Sequence, residues 1–294
     1  MNEKIDTIGI FYFSGTGNTK AIAQLYAKEL KKQKMSTDLI PIEKIMQENK
    51  LESLKEYDLY GFGFPVHAFS APRIFFKFLD ALPSISVKNA FLFKSMGDPI
   101  WYGGATCKIR NILINKGYNI FHEDILVMPA NVAIHYPDEL VKQLYETAKR
   151  KIALYVHQIL NFKERLQPNP GYLKLISSLF SWMESFGGQY FGKYLYATEK
   201  CNSCEICGRI CPTNNISMID GKPQFGSECT FCMRCIYRCP QHAIQNKYMG
   251  FFIIRKGYNL KNTLKNENLS GNYINSETRG YFKHFNNYLN NQLY

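Results

Sequence analysis

Residues 5–19 read IDTIGIFYFSGTGNT, and they decide the fold of the N-terminal half of the chain. The apolar run at 5–13 is rich in aromatic and β-branched residues, which predicts a strand buried on both faces. After Thr19 the apolar residues recur at helical spacing, which predicts a helix. A strand, a loop of glycines and hydroxyl side chains, and a helix together form an anion-binding device, because backbone N–H groups and the helix dipole attract negative charge.

The loop between this strand and helix does not have the pattern of a nucleoside triphosphate loop. It lacks the P-loop lysine and is too short for G-x-G-x-x-G. It resembles the T/S-x-T-G-x-T signature of flavodoxins, although short turns of Ser, Gly and Thr also occur as ordinary loops. The resemblance implies that the 5′-phosphate of FMN is held by Ser14, Gly15, Thr16, Gly17, Asn18 and Thr19.

Strand-like and helix-like segments alternate after this loop. Strands are predicted at 36–42, 57–63, 90–96 and 119–128, and helices at 71–81, 104–116 and 138–164. This alternation predicts an α/β fold with a doubly wound five-stranded parallel sheet. In the flavodoxin-like strand order 2-1-3-4-5, FMN binds beyond the carboxyl ends of the strands. Residues 1–166 are therefore expected to form a flavodoxin-like FMN-binding domain.

The loops after the third and fourth strands are the expected places for the flavin ring, which needs flat apolar walls and hydrogen-bond donors. The second loop resembles the flavodoxin G-D-x-x-x-Y loop, which implies that Tyr102 stacks on the ring. The first loop lacks the tryptophan usual in flavodoxins, and the aromatic residues of both loops could also be ordinary core. The candidate ring contacts are Pro65, Val66, His67, Phe69, Gly97, Asp98, Trp101, Tyr102 and Gly103.

Two histidines and one cysteine lie near the predicted loops and could have roles in chemistry. His67 could donate a hydrogen bond to the flavin or a proton to a substrate, and it is the one candidate catalytic residue, although a structural histidine is the commoner case. His135 follows the fifth strand and is a second candidate. Cys107, the cysteine outside the two runs described next, is expected to be a small buried hydrophobe.

Eight of the nine cysteines lie in two runs, CNSCEICGRICP at 201–212 and CTFCMRCIYRCP at 229–240, which repeat one spacing after 28 residues. Thiolates are soft ligands that favour iron–sulfur clusters or zinc. Zinc modules usually place C-x-x-C pairs on either side of a loop, and disulfide frameworks belong to short secreted chains. The compact four-cysteine run therefore favours iron–sulfur clusters.

These runs resemble those of bacterial two-cluster ferredoxins over about Tyr196–Tyr248. In that family the fourth cysteine of each run ligates the other cluster. The resemblance implies one 4Fe–4S cluster on Cys201, Cys204, Cys207 and Cys239, and a second on Cys229, Cys232, Cys235 and Cys211.

The resemblance also divides the second half of the chain. It implies a small α+β ferredoxin-like domain at 197–248, preceded by a helical linker at 167–196. An extension follows at 249–294, either as a loose tail or as a strap over the ferredoxin unit.

The chain carries a formal net charge of +12. Two clusters and an FMN phosphate would reduce it to roughly +6, which would still attract an acidic redox protein such as a ferredoxin. The basic residues are scattered and accompany no recognition motif, so nucleic-acid binding is not expected. The chain shows no signal peptide and no transmembrane segment, and its thiols suit a reducing compartment, so a cytoplasmic protein is expected. A homodimer is left open.

Together these features resemble the flavodoxin–ferredoxin fusion proteins of anaerobes. The resemblance implies an oxidoreductase that passes single electrons between two 4Fe–4S clusters and FMN, to or from a protein or a small-molecule acceptor. The alternative is an FMN-dependent reductase of a small substrate bound over the flavin, with the ferredoxin domain as an internal wire. A redox sensor fits less well, because a sensor does not need a flavin and two clusters.

Overall fold

Five parallel strands form the centre of the N-terminal half. The computed structural model describes residues 5–48, 50–51, 56–67, 70–99, 106–168 and 186–290. The strands are β1 (Thr7–Tyr12), β2 (Ser36–Pro41), β3 (Leu59–Pro65), β4 (Lys88–Met96) and β5 (Tyr118–Val127). They pair in the order β2-β1-β3-β4-β5, and every pair is parallel. The predicted flavodoxin-like sheet is confirmed.

Helices cover both faces of this sheet. They are α1 (Asn18–Lys32), α2 (Ile42–Gln47), α3 (Arg73–Ala81), α4 (Cys107–Asn115) and α5 (Asp138–Leu160). Side chains of β1 and of the next residue, Phe13, alternate between the two layers. Ile8 and Ile10 pack with α1 and α5, whereas Phe11 and Phe13 pack with α2 and α3. Both faces of β1 are therefore buried, as its continuous apolar run predicts.

The structure differs from the sequence-based prediction at two places in this domain. Helix α2 was not predicted, because six residues after Pro41 are too few to show a clear helical period. The predicted helix at 138–164 ends at Leu160. Phe162 has a left-handed φ of 51°, and Arg165 then pairs with His122 beside β5. The chain therefore leaves the helix and runs along the edge of the sheet.

The second half contains a small unit built around the cysteines, here called the cysteine unit (residues 195–246). Its strands β6 (Leu195–Ala197) and β9 (Ile244–Asn246) pair antiparallel, as do β7 (Ile216–Ile219) and β8 (Lys222–Phe225). Residues 186–193 form a helix (α6) in front of it, and two short helices lie within it, α7 (Ile206–Arg209) and α8 (Arg234–Arg238).

The C-terminal extension packs against the sheet domain. It holds two short helices, α9 (Leu260–Lys265) and α10 (Phe285–Asn290). Its buried side chains Leu260, Ile274, Phe285 and Tyr288 join the apolar cluster of β1, β5, α1 and α5. The first residues of the extension, among them Phe252 and Ile253, pack on the cysteine unit, as the strap interpretation expects. The later buried aromatic side chains instead extend the core beside α5.

Candidate functional site

The β1–α1 loop leads into a helix N-terminus without a side-chain cap. Gly17 precedes α1 with a φ of 116°, a left-handed conformation that favours glycine, and the first turn of α1 holds no acidic residue. The N–H groups of Gly15 and Thr16 donate to no atom of the residues that the structure describes. Such unsatisfied donors at a helix N-terminus favour a bound anion.

Two buried hydroxyl side chains belong to the same loop. Thr19 is fully buried, and its Oγ1 lies 2.8 Å from Ser95 Oγ on β4. Ser14 is also buried, yet its Oγ has no hydrogen-bond partner within the described part of the chain. A buried hydroxyl without a partner costs about 1–3 kcal/mol. Ser14 therefore fits a site in which a phosphate oxygen accepts its hydrogen bond.

Side chains from distant segments brace the loop. Asn131 Nδ2 donates to Thr16 Oγ1 over 3.0 Å, and Asn18 Nδ2 donates to the carbonyl oxygen of Pro129 over 2.8 Å. The hydroxyl of Tyr258, in the C-terminal extension, donates to Asn18 Oδ1. The segment after β5 and the extension thus hold the loop in one conformation, which lowers the ordering cost of binding a ligand.

The loop after β3 lies beside β4. Val66 N donates to the carbonyl oxygen of Ser95 over 2.8 Å. His67 and Ser70 exchange two backbone hydrogen bonds of 2.7 and 2.8 Å. Pro65, Val66 and His67 therefore stand at the carboxyl edge of the sheet, in the neighbourhood of Thr19.

The loop after β4 is held by other parts of the chain. Tyr136 donates its hydroxyl hydrogen to the carbonyl oxygen of Gly97 over 2.5 Å. The Asp98 carboxylate accepts from the Tyr281 hydroxyl over 2.7 Å and lies 3.0 Å from His284 Nε2, both in the C-terminal extension. The extension therefore anchors a predicted flavin loop.

Four of the predicted ring contacts lie outside the described residues: Phe69, Trp101, Tyr102 and Gly103. Their role in flavin binding stays a prediction. The remaining candidates, on the β1–α1 loop and at the ends of β3 and β4, are all at the carboxyl edge of one parallel sheet.

The eight clustered cysteines line two separate cavities. The outer set consists of Cys201, Cys204, Cys207 and Cys239, whose cavity also has the exposed residues Asn202 and Glu205 in its wall. The inner set consists of Cys211, Cys229, Cys232 and Cys235, whose cavity is also lined by Phe191 and Ile236. Each set combines three cysteines of one run with the fourth cysteine of the other.

The backbone repeats its conformation in the two runs. Glu205 and Met233 each precede a short helix with a left-handed φ of 60° and 61°. Asn215 N donates to Cys211 Sγ, and Ala243 N donates to Cys239 Sγ, each over 3.3 Å. These pairs are 28 residues apart, so the repeat seen in the sequence is a repeat of structure. N–H groups aimed at sulfur stabilise the thiolate form.

Burial makes several of these thiols hard to ionise. It raises the pKa of Cys207, and the nearby Cys239 and Cys201 add to the effect. It also raises the pKa of Cys235 well above the usual value, and Cys232 adds to that shift. Metals bind the thiolate form, so a positive charge close to Cys207 or Cys235 would favour ionisation of that thiol.

The shape of the two cavities bears on which group that could be. Among the described residues, no three His, Cys, Asp or Glu side chains converge closely enough to hold a single metal ion. The cysteines line the cavity walls, and the buried hydroxyl of Thr230 in the wall of the inner cavity has no partner among the described residues. This hydroxyl and the four cysteines are the donors that a group bound in the inner cavity could use.

The inner set touches the β1–α1 loop. A Cβ atom on Gly15 would lie 2.5 Å from the carbonyl oxygen of Cys232, and Cys232 packs into the apolar cluster that includes Phe13. Gln47 Nε2, on α2, donates to the carbonyl oxygen of Cys211 over 3.4 Å. The contact places the inner cavity against the loop that was predicted to hold the flavin phosphate.

One arginine, Arg234, connects the cysteine unit to the loop. Its guanidinium donates to the carbonyl oxygens of Ser14 over 2.7 Å and Gly15 over 3.2 Å. It also forms an ion pair of 2.8 Å with Glu43 on α2. Burial raises the pKa of Cys232, whereas the charge of Arg234 lowers it. The guanidinium charge therefore acts on the inner set.

The remaining candidates lie apart from the cysteines. His135 lines a cavity of about 340 Å³ between the N-terminus of α5 and the C-terminal extension, together with Lys256 and Tyr258. Cys107 is buried at the start of α4, as expected for a small apolar side chain.

Sequence reasoning missed several residues of this site. Arg234, Glu43 and Ser95 carry no motif, and their partners are far away in the sequence; Gly15 and Arg234, for example, are 219 positions apart. Asn131, in the segment after β5, and Tyr258, in the C-terminal extension, brace the β1–α1 loop, and neither residue is among the predicted site residues. No local signal could have identified these contacts.

Comparison with known proteins supports the sheet domain. Residues 10–139 match the flavodoxin family model. An uncharacterized protein of Methanocaldococcus jannaschii is 31% identical over 106 residues, which cover 36% of this chain and 64% of that protein. The chain thus spans less than two thirds of the length of this relative. The family match ends before the cysteine unit.

Several solved structures are similar to the same part of the chain. A flavodoxin from the domain Archaea shares 20% identity, with 52% of this chain and 98% of that chain covered and a TM-score of 0.37. Oxidised flavodoxin 1 from Bacillus cereus shares 21% identity, with 52% of this chain and 98% of that chain covered and a TM-score of 0.39. Rubredoxin oxygen:oxidoreductase from the anaerobe Desulfovibrio gigas shares 19% identity, with 55% of this chain covered and a TM-score of 0.39. Only 38% of that protein is covered, so the chain spans well under half of it.

No helix within the described ranges is long and apolar enough to cross a membrane. The family match and the strand order together show a flavodoxin-like domain in the N-terminal half of the chain.

Proposed function

We propose that the chain is an iron–sulfur flavoprotein that transfers electrons between FMN in its flavodoxin domain and two 4Fe–4S clusters in its cysteine unit. One observation carries the proposal: a cavity lined by four cysteines, three from one run and one from the other, lies directly against the β1–α1 loop. If a redox group fills the cavity and a flavin binds the loop, this contact brings the two groups close together for electron transfer.

The flavin would be held at the carboxyl edge of the sheet. The N–H groups of Gly15 and Thr16 and the Ser14 hydroxyl would bind its phosphate, since these donors have no partner among the described residues. Thr16, Gly17, Asn18 and Thr19 would shape the loop around it. Ring contacts are assigned to Pro65, Val66, His67, Phe69, Gly97, Asp98, Trp101, Tyr102 and Gly103.

The outer and inner sets would each hold one cluster, with the ligands Cys201, Cys204, Cys207 and Cys239 in the first and Cys211, Cys229, Cys232 and Cys235 in the second. Each cluster exchanges single electrons, whereas FMN exchanges one or two. The chain's own contribution is to keep the two sets close together and to exclude water from the inner one, in which Cys211 and Cys232 are buried.

The positions of the two sets suggest an order of electron exchange. The outer set has exposed neighbours such as Asn202 and Glu205, so it would meet the partner. The inner set lies between the outer set and the β1–α1 loop, so it would pass electrons to and from the flavin. The division of the chain into 1–166, 167–196, 197–248 and 249–294 belongs to this proposal.

The external partner is proposed to be an acidic redox protein. The chain carries a formal net charge of +12, and complementary charge accelerates the encounter of two proteins. A small-molecule acceptor is the second option. Electron transfer to an acidic protein should weaken steeply with ionic strength, whereas transfer to an uncharged acceptor should not.

Anaerobic purification followed by analysis of iron, sulfide and flavin tests the proposal. About eight irons and one FMN per chain are expected. Zinc, or no more than four irons, would rule out the assignment of two clusters. Stopped-flow mixing of the reduced protein with an oxidant should then show cluster and flavin absorbance changing in one connected sequence.

A reductase is the second candidate function, and one observation favours it. The 340 Å³ cavity with His135 and Lys256 in its wall adjoins the loop after β4 and the β1–α1 loop, since Ala130 lies against Gly97 and Tyr258 donates to Asn18. A reductase should oxidise its bound flavin rapidly with a small substrate in the absence of any partner protein. Replacing His135 by Gln should slow that reaction and leave exchange with an acidic protein unchanged.

A further inference from the structure

Arg234 is the only described side chain that donates to the carbonyl oxygens of both Ser14 and Gly15 while lining the inner cysteine cavity. Its guanidinium also donates to the carbonyl oxygen of Ile210 over 3.2 Å and to Glu43 Oε1 over 2.8 Å. Four acceptors thus fix its position, and only 17% of the side chain is exposed.

The first consequence concerns the loop. A peptide unit is planar and trans, so the N–H that follows a carbonyl points in the opposite direction. Arg234 holds the carbonyl oxygens of Ser14 and Gly15 toward itself. It therefore turns the N–H groups of Gly15 and Thr16 away from the cysteine unit, and these are donors without a partner in the described chain.

The second consequence concerns the charge at the inner cavity. Adding an electron to a cluster makes it more negative, so a nearby cation stabilises the reduced form. Arg234 lies in the cavity wall, whereas its partner Glu43 does not. The ion pair thus presents its positive end to the cysteines.

We infer that Arg234 is a positioning residue shared by both cofactor sites: it presents the phosphate-binding N–H groups of the loop and raises the reduction potential of the inner cluster. The inference rests on the proposed function and adds to it a residue that neither cofactor motif contains. A guanidinium suits this role because its planar fork of donors reaches two carbonyl oxygens at once while keeping its charge.

Three variants separate the two roles. Arg234→Met removes both the fork and the charge. Arg234→Lys keeps the charge but cannot reach both carbonyl oxygens. Glu43→Gln keeps the fork and removes the negative partner. Lys77→Met is the matched control, because Lys77 is an interface cation that pairs with the exposed Glu228 and contacts neither the loop nor the cavity.

The experiment measures two quantities on the full chain, the midpoint potential of each cluster by potentiometric titration followed by electron paramagnetic resonance, and the Kd for FMN after flavin depletion. Arg234→Met should lower the midpoint of one cluster, Glu43→Gln should raise it, and Arg234→Lys should leave it near the wild-type value. The second cluster and the Lys77→Met variant should not change.

For FMN, both Arg234 variants should raise the Kd about tenfold or more, which is the loss expected for misplaced hydrogen bonds to a charged phosphate, whereas Glu43→Gln should stay within about threefold. A merely structural role would move the midpoint in the same direction in Arg234→Met and Glu43→Gln, and that result overturns the inference. So does an unchanged FMN Kd in Arg234→Lys.

The wild-type protein separates this inference from the proposed function. If it binds no clusters or no flavin, the proposed function fails and this inference fails with it. If it binds both and the variants leave the midpoints and the Kd unchanged, only the role of Arg234 is wrong.

Discussion

Gly15 and Cys232 approach so closely that a single carbon atom added to Gly15 would lie 2.5 Å from the Cys232 carbonyl oxygen. Both groups belong to the backbone, so neither can move aside by rotating a side chain. Gly15 therefore allows the cysteine unit to dock on the flavodoxin domain.

Replacing Gly15 by Ala should separate the two parts of the chain. Overpacking of this kind costs about 1–3 kcal/mol, which urea unfolding can measure. Electron exchange between flavin and clusters in stopped-flow experiments should slow, while the iron content stays the same. Gly250→Ala is the control, because a Cβ there meets nothing within 4 Å. Unchanged unfolding and unchanged exchange in Gly15→Ala would show that the contact has no role.

Ser14→Ala should have opposite effects on folding and on flavin binding. Without flavin the Ser14 hydroxyl is buried and unpaired in the described structure, so removing it should leave the free energy of unfolding unchanged or raise it. With flavin the hydroxyl would donate to a charged phosphate, and its loss should weaken FMN binding by about 1.5–3 kcal/mol, roughly 10- to 150-fold.

Thr37→Val provides the control for Ser14→Ala. Thr37 Oγ1 is also buried and unpaired among the described residues, but it lies on the edge strand β2. This change should affect neither FMN binding nor exchange with the clusters. Fluorescence titration of flavin measures both variants, and equal FMN affinity in Ser14→Ala and wild type would contradict the assignment of the phosphate site.

The sheet was predictable because its physical signal is local. Strands such as β1 and β3 are continuous apolar runs buried on both faces, and their period and flanking loops can be read without knowledge of the rest of the chain. The β1–α1 loop was predictable for the same reason. Helix α2 was missed because it is only six residues long.

Contacts between distant segments could not be predicted in this way. The aromatic residues of the C-terminal extension indicate burial, but no residue in it specifies that Phe285 and Tyr288 pack beside α5 and not on the cysteine unit. Asp98 was predicted to contact the flavin from its motif, and nothing in that motif indicates that Tyr281 and His284 also bind its carboxylate. Such pairs depend on the assembled fold.

Tyr288→Phe tests whether the extension is part of the core. The Tyr288 hydroxyl accepts a hydrogen bond of 3.0 Å from Val127 N at the end of β5, and the side chain is 1% exposed. Phenylalanine would leave that buried N–H without its acceptor, which should lower the free energy of unfolding by about 1–3 kcal/mol. Tyr273→Phe should change it by less than about 0.5 kcal/mol, because Tyr273 is 37% exposed. Equal urea midpoints for the two variants would show that the extension is only loosely attached.

Lys94 should make stability depend on pH. Burial lowers its pKa to about 8, with Glu123 opposing the shift. The unfolded chain, with a lysine pKa near its usual value, then binds more protons above pH 8, so stability rises with pH until Lys94 is neutral in both states. Lys94→Met removes this dependence.

The free energy of unfolding of Lys94→Met should exceed that of the wild-type protein at pH 7.5, and this difference should shrink by about 2 kcal/mol between pH 7.5 and 9.5. Urea unfolding at both pH values measures it. Lys31→Met, an exposed change on α1, should show no such trend. A constant difference between Lys94→Met and wild type across this range would mean that the pKa of Lys94 is the same in the folded and unfolded protein, so that burial does not lower it.

The partition of the cysteines between the two cavities can be tested with two double variants that each remove two thiols. Cys201 and Cys239 line the same cavity although they belong to different runs, whereas Cys201 and Cys211 share a run but line different cavities. Cys201→Ser with Cys239→Ser should therefore damage one cluster and leave about four irons. Cys201→Ser with Cys211→Ser should damage both clusters and leave almost none.

Iron analysis and electron paramagnetic resonance of the reduced proteins distinguish the two variants. If each run held its own cluster, the pattern would be inverted, and the pair within one run would keep about four irons. Because both proteins lose the same number of thiols, a general loss of stability would lower their iron content equally. A higher iron content in Cys201→Ser with Cys239→Ser than in Cys201→Ser with Cys211→Ser can therefore arise only if the fourth cysteine of each run ligates the cluster of the other run.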